Sequence, residues 1–168
     1  MTKIIIGNIF ALVGSLLMVY IGLIKKKKKI LLYQLVELTL FAIANFTLGG
    51  YPGLIINLLN IVNVSLCYKK KLNCVWKIII SVVAITLIVI FNNLGLIGYL
   101  PLLAFLLYLW FITEKDIIKF KVLNIIILVM WLIYDFMIKA YVGCAFDLFT
   151  IITNIIAIVS IKKNRKKK

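Results

Sequence analysis

Ile21-Gly22-Leu23-Ile24-Lys25-Lys26-Lys27-Lys28-Lys29-Ile30-Leu31-Leu32 sets five consecutive lysines between two long apolar runs. Reading outward, the arrangement recurs. Eighteen of the twenty basic residues fall in four clusters: 25–29, then 69–71 with Lys77, then Lys115, Lys119 and Lys121, and the tail Lys162, Lys163, Arg165 and 166–168. Only Lys3 and Lys139 lie elsewhere. The clusters occupy alternate gaps between apolar stretches, which is the pattern that orients helices during membrane insertion. It predicts four cytoplasmic clusters, with the N-terminus and the Lys139 loop outside.

The composition agrees. With 65% hydrophobic residues and a mean hydropathy of +1.17, the chain has too little polar surface to cover a soluble globule. A net charge of +15 would suggest nucleic acid in a soluble protein. Here every cluster abuts an apolar run, so the lysines read as topogenic anchors that contact anionic lipid, at roughly 1 kcal/mol each. No nucleic-acid partner is expected. The first apolar run has its positive charge after it rather than before it, which reads as an uncleaved helix and not as a signal peptide.

About 20 apolar residues cross a bilayer core. Seven such spans are predicted, over 4–24, 30–48, 51–68, 76–91, 98–113, 120–138 and 140–161. Starting outside, seven crossings end inside, where the basic tail lies. The softest boundary is 92–98, where Asn92, Asn93, Gly95 and Gly98 signal a turn. Gly49, Gly50, Pro52 and Gly53 signal another, and Pro101 suits the first turn of a helix.

Residues ninety positions apart repeat. Phe46, Tyr51, Gly53, Leu58 and Ile61 recur as Phe136, Tyr141, Gly143, Leu148 and Ile151. Polar positions also match: Gln34 with Asn124, Asn45 with Asp135, Asn57 with Asp147, Asn60 with Thr150, Asn63 with Thr153. The expected fold is therefore all-α, a single integral membrane domain of seven helices. Repeat 1 covers about 4–71, a linker helix about 76–91, repeat 2 about 98–161, and a basic tail 162–168. A second triplet of the same orientation needs one extra crossing to return the chain, so the repeats would be parallel.

Ionisable groups inside spans are costly and face a bundle interior or water. Glu37 and Asp147 have no basic residue within helical reach, whereas Asp135 precedes Lys139 by four residues and can be neutralised locally. Asn57, Asn60 and Asn63 share one side of the third span, and Asp147, Thr150 and Thr153, with Asn154 beside them, repeat that stripe in the seventh. Interhelical hydrogen bonding at about 0.6 kcal/mol per contact and a solute pathway both fit these stripes. Trp131 reads as packing. The chain has no histidine, and Cys67, Cys74 and Cys144 are scattered, so neither a metal site, a cofactor nor a catalytic constellation is expected. No enzyme is predicted.

Asn45-Phe46-Thr47-Leu48-Gly49-Gly50-Tyr51-Pro52-Gly53, the Asn-bearing helix after it, and Trp131-Leu132-Ile133-Tyr134-Asp135-Phe136 resemble the YgjV family of bacterial inner-membrane proteins over most of the chain. That resemblance implies a membrane and names no solute. The three-plus-one-plus-three plan is similar to SWEET sugar transporters and PnuC-type vitamin-precursor transporters. The SWEET likeness would make Asn57 or Asn60, and Asn154, solute contacts, although the prolines of SWEET gating helices are mostly missing here. The expectation is a small-solute transporter or facilitator working by alternating access. Asn57, Asn60, Asp147 and Asn154 would bind solute, and Glu37 would gate the cytoplasmic side. The alternative is an accessory or scaffold protein whose polar stripes cement helices. A homo-oligomer fits either reading.

Overall fold

The computed structural model describes residues 2–137 and 141–165. All regular structure among them is helical: α1 (Thr2–Leu23), α2 (Lys27–Leu48), α3 (Tyr51–Tyr68), α4 (Cys74–Phe91), α5 (Leu100–Phe111), α6 (Ile117–Met137) and α7 (Tyr141–Arg165). A 3₁₀ segment, Gly95–Tyr99, leads into α5. Six of these helices are long and apolar enough to cross a membrane, and Gly95–Phe111 is a shorter apolar segment.

Local chemistry sets the helix ends. Gly49 closes α2 at φ 77°, a left-handed conformation that a Cβ would strain, and the Gly50 N–H returns to the Asn45 carbonyl at 2.9 Å. Pro52 sits in the first turn of α3, where a missing donor costs little. Asn73 caps α4 by accepting from the Trp76 N–H at 2.9 Å, and Asp116 caps α6 by accepting from the Ile118 N–H at 2.7 Å. The predicted 92–98 turn is present. The Asn92 side chain accepts from the Leu94 N–H and donates to the Gly95 carbonyl.

The helices form a ring in the order α1, α2, α3, α5, α6, α7, which closes where α7 packs on α1. α4 stands outside the ring against α3 and α5. It buries one stripe, Lys77, Ile80, Ala84 and Ile88, at helical spacing, packed near Ile56, Leu102, Phe105 and Leu109. Its other faces expose Ile78, Ile79, Val82, Val83, Val89 and Ile90. Large apolar side chains are likewise exposed around the outside of the other long helices. Water would not tolerate so wide an apolar surface, and lipid does.

The described residues of all four basic clusters lie at one end of the ring. Lys25 donates to Ser160 Oγ at 2.8 Å, Lys27 donates to the Glu114 carbonyl, and the Lys28 ammonium lies 5.5 Å from the Tyr68 ring centre. The Glu114 carboxyl faces water in the α5–α6 connection and is held below its ordinary range, chiefly by the Asp116 N–H.

Two lysines of these clusters do not behave as lipid anchors. Lys77 is 8% exposed, donating to the Trp110 carbonyl at 2.8 Å and Thr113 Oγ1 at 3.0 Å. Lys121 is 1% exposed, donating to the Gly22 carbonyl at 2.7 Å and Asn154 Oδ1 at 3.2 Å. Both ammonium groups replace water with protein oxygens, among them the Trp110 and Gly22 carbonyls at the C-terminal ends of α5 and α1, which carry partial negative charge where a helix terminates.

Candidate functional site

The ring encloses a cavity of about 690 Å³. Ser15 and Met18 reach its wall from α1, Gln34, Glu37 and Phe41 from α2, and Asn57 and Asn60 from α3. Phe105 and Tyr108 come from α5, Asn124, Trp131, Tyr134 and Asp135 from α6, and Asp147 and Thr150 from α7. α4 supplies no wall residue. At the end away from the lysines the cavity is rimmed by the exposed Leu48, Gly49, Asn93 and Val142, so it opens there. Toward the basic end it stops on an apolar plug that includes Ile21, Ile30, Leu31, Val64, Ile112 and Phe120.

The polar wall groups are buried and incompletely bonded. Glu37 is 8% exposed, Asn57 5%, Asn60 8% and Asp147 4%. Asn60 Oδ1, Asp147 Oδ2, Ser15 Oγ and the Tyr134 hydroxyl have no hydrogen-bond partner. In most proteins such atoms are paired, because an unmade bond to a buried polar group costs about 1–3 kcal/mol. Others are satisfied. Tyr108 donates to Gln34 Oε1 at 2.6 Å, tying α5 to α2 just above the plug.

Two close approaches hold the open end together. A Cβ on Gly53 would lie 2.5 Å from Asn45 Oδ1, and one on Gly143 would lie 2.3 Å from Asp135 Oδ2. Each glycine makes room for the polar side chain at the end of the preceding helix. Lys139, offered by the sequence as a local partner for Asp135, lies outside the described residues.

The bacterial inner membrane protein family YgjV has a model that matches residues 5–165. The chain belongs to this family. It is a multi-pass helical protein of the bacterial inner membrane. No curated protein and no solved structure matches it.

Of the residues singled out in this YgjV-family sequence, Glu37, Asn57, Asn60 and Asp147 converge on the cavity. Asn154 does not reach the wall. Its amide bonds Lys121 Nζ and the Thr150 carbonyl, at the α1–α6–α7 junction beside the plug. Asn63 is fully buried with its amide unpartnered and does not reach the wall either, and nothing in the structure explains it. Sequence reasoning missed Ser15, Tyr134 and the buried state of Lys121. Ser15 was findable as a polar residue well inside the first apolar run. Trp131, read as packing, lines the cavity and meets Tyr134 edge to face at 5.6 Å.

Proposed function

We propose that this YgjV-family protein is a small-solute transporter or facilitator that works by alternating access as two triple-helix units rock about the central cavity. The observation that carries this reading is the cavity itself, polar-walled at mid-depth, open at one end and plugged at the other. Polar stripes that merely cemented helices would bond one another in a dry core. Here Asn60 Oδ1 from α3 and Asp147 Oδ2 from α7 have no protein partner, and both residues belong to the cavity wall. Glu37, Asn57, Asn60 and Asp147 bind solute, while Asn154 acts with Lys121 at the closed end.

Several features support two parallel repeats. α2 and α6 begin ninety residues apart, as do α3 and α7. The ring contacts α1–α2, α2–α3 and α7–α1 correspond to α5–α6, α6–α7 and α3–α5 under that shift. The Asn45–Gly53 approach corresponds to Asp135–Gly143. In this reading α4 is the crossing that returns the chain. The segment Gly95–Phe111, a 3₁₀ start followed by twelve α-helical residues, rises roughly 28 Å, near the thickness of a bilayer core, and makes the seventh span. The basic end faces the cytoplasm, so the cavity opens outward.

A solute screen on purified protein tests the proposal. Bound solute stabilises the native state by mass action, so a true substrate raises the melting temperature with the logarithm of its concentration once that exceeds Kd. Asn57→Ala and Asn60→Ala should weaken that rise. A solute effect that both variants retain in full would remove this cavity from the function.

A further inference from the structure

The chain carries a net charge of +15, yet its central cavity is acidic. Three of its five acidic residues, Glu37, Asp135 and Asp147, line the wall, and among the described residues no lysine or arginine does. Asp135 stands four residues from Lys139 in sequence, whereas Glu37 and Asp147 have no basic residue within helical reach. Glu37 on α2 and Asp147 on α7 reach the cavity from separate helices, and Asp147 Oδ2 has no protein partner. A carboxyl held away from water must either take up a proton or be matched by a cation, and a cationic guest supplies that match. The two buried lysines near the ring cannot serve, because the ammonium groups of Lys77 and Lys121 are bonded at the basic end, outside the cavity.

Independent of the charges, two neutral groups on the same wall, Asn60 Oδ1 and Ser15 Oγ, are over nine-tenths buried and unpartnered. The Asn60 amide oxygen can only accept and so adds to the call for a donor-bearing guest, while the Ser15 hydroxyl can serve either way. Phe105, Trp131 and Tyr134 line the same wall, Trp131 the most accessible of the three, and an aromatic face attracts a cation by about 0.5–2 kcal/mol. A bare metal ion would leave most of a 690 Å³ volume unused. We infer that the cavity binds a small organic cation, with ammonium or guanidinium groups set against Glu37 and Asp147 and an apolar stem against the aromatic rings. This names the solute class for the transport reading above and rests on that cavity being the binding site.

The test uses purified full-length protein and thermal unfolding with matched probes: putrescine and agmatine against butanediol, and choline against its uncharged carbon isostere dimethylbutanol. At a hundredfold excess over Kd, a bound cation should raise the melting temperature by roughly 5 °C or more, and its neutral partner should not. Asp147→Asn should weaken binding at least tenfold, whereas Asp147→Glu, which keeps the charge, should retain most of it. Glu37→Gln, on a different helix of the wall, provides a second reading should the Asp147 variants unfold. Stabilisation by neutral solutes and by none of the cations would overturn the cation assignment and leave the transport reading standing. Equal stabilisation by sodium chloride alone, or cation binding untouched by both charge-removing variants, would also overturn it.

Discussion

Ring closure depends on α1 meeting α7, and Gly22 is where that contact is tightest. A Cβ there would lie 2.1 Å from Thr153 Oγ1 and 3.2 Å from Thr153 Cβ, against an ordinary contact of 3.4 Å or more. The 3.2 Å contact needs only a small shift, but the hydroxyl cannot turn away without losing its bond to the Thr150 carbonyl, so Gly22→Ala must break that bond or push the helices apart. Overpacking of this kind costs about 1–3 kcal/mol, offset by about 1 kcal/mol from replacing glycine in a helix. The net expectation is a loss of up to about 2 kcal/mol, seen by denaturant titration of the purified protein in mild detergent. Thr153→Ala removes the hydroxyl that accounts for the closest approach and gives up only a bond to the Thr150 carbonyl and a long one, 3.4 Å, to Val19. In the double variant most of the Gly22→Ala loss should vanish, a coupling of about 1 kcal/mol or more. If Gly22→Ala stabilises the protein and the two changes add within about 0.5 kcal/mol, α1 and α7 are not in contact there and the ring is open.

The paired approaches at the open end predict paired effects: Gly53→Ala and Gly143→Ala should each destabilise by about 1–3 kcal/mol, relieved by Asn45→Ala and Asp135→Ala respectively, in the same titration. Unequal rescue would count against equivalence of the repeats. Lys121→Met keeps the volume and should change stability by less than about 1.5 kcal/mol, whereas Lys121→Ala leaves a void beside Asn154 and should cost roughly 2–5 kcal/mol. Orientation can be read from the exposed Cys74 in a variant lacking Cys67 and Cys144. An impermeant thiol reagent added to intact cells should leave it unlabelled, and should label Asn93→Cys in a cysteine-free background; the reverse pattern would invert the topology.

Much of the fold could be read from the apolar lengths and lysine clusters, because a bilayer imposes both. The helices nevertheless run further into the clusters than hydropathy suggests. α2 begins at Lys27, α6 includes Lys119 and Lys121, and α7 continues through Lys162, Lys163 and Arg165. Lysine and arginine are good helix formers, and their stems lie along apolar surface, so hydropathy marks the membrane core and not the helix end. The fifth α-helix, Leu100–Phe111, falls inside the predicted 98–113, and a 3₁₀ segment that begins at Gly95, bonded by Asn92, extends the apolar segment ahead of it.

The site was legible where helical spacing and the ninety-residue match coincided. Asn57, Asn60 and Asp147 satisfied both and reach one cavity, and Glu37 was marked by its lone charge in an apolar span. Asn154 shared the stripe only approximately. A step of seven residues from Asp147 returns almost to the same face, but the ring tapers onto its plug by that depth, so the side chain meets Lys121 instead of open space. That Lys121 turns inward while its neighbour Lys119 is exposed depends on the Gly22 carbonyl being within reach, a contact ninety-nine residues distant that no local pattern encodes.

Asn60→Cys in a cysteine-free background shows whether a water-filled pathway runs between two helical triplets. Asn60 sits at the cavity wall, 8% exposed, on the helix that carries the first polar stripe. A small membrane-impermeant thiol reagent should modify it from outside in right-side-out vesicles. Added solute that binds should slow that modification and, by populating the other state, raise reactivity in inverted vesicles. A cysteine at position 60 that is inert from both faces, with and without solute, would mean a dry packed core and would contradict the account.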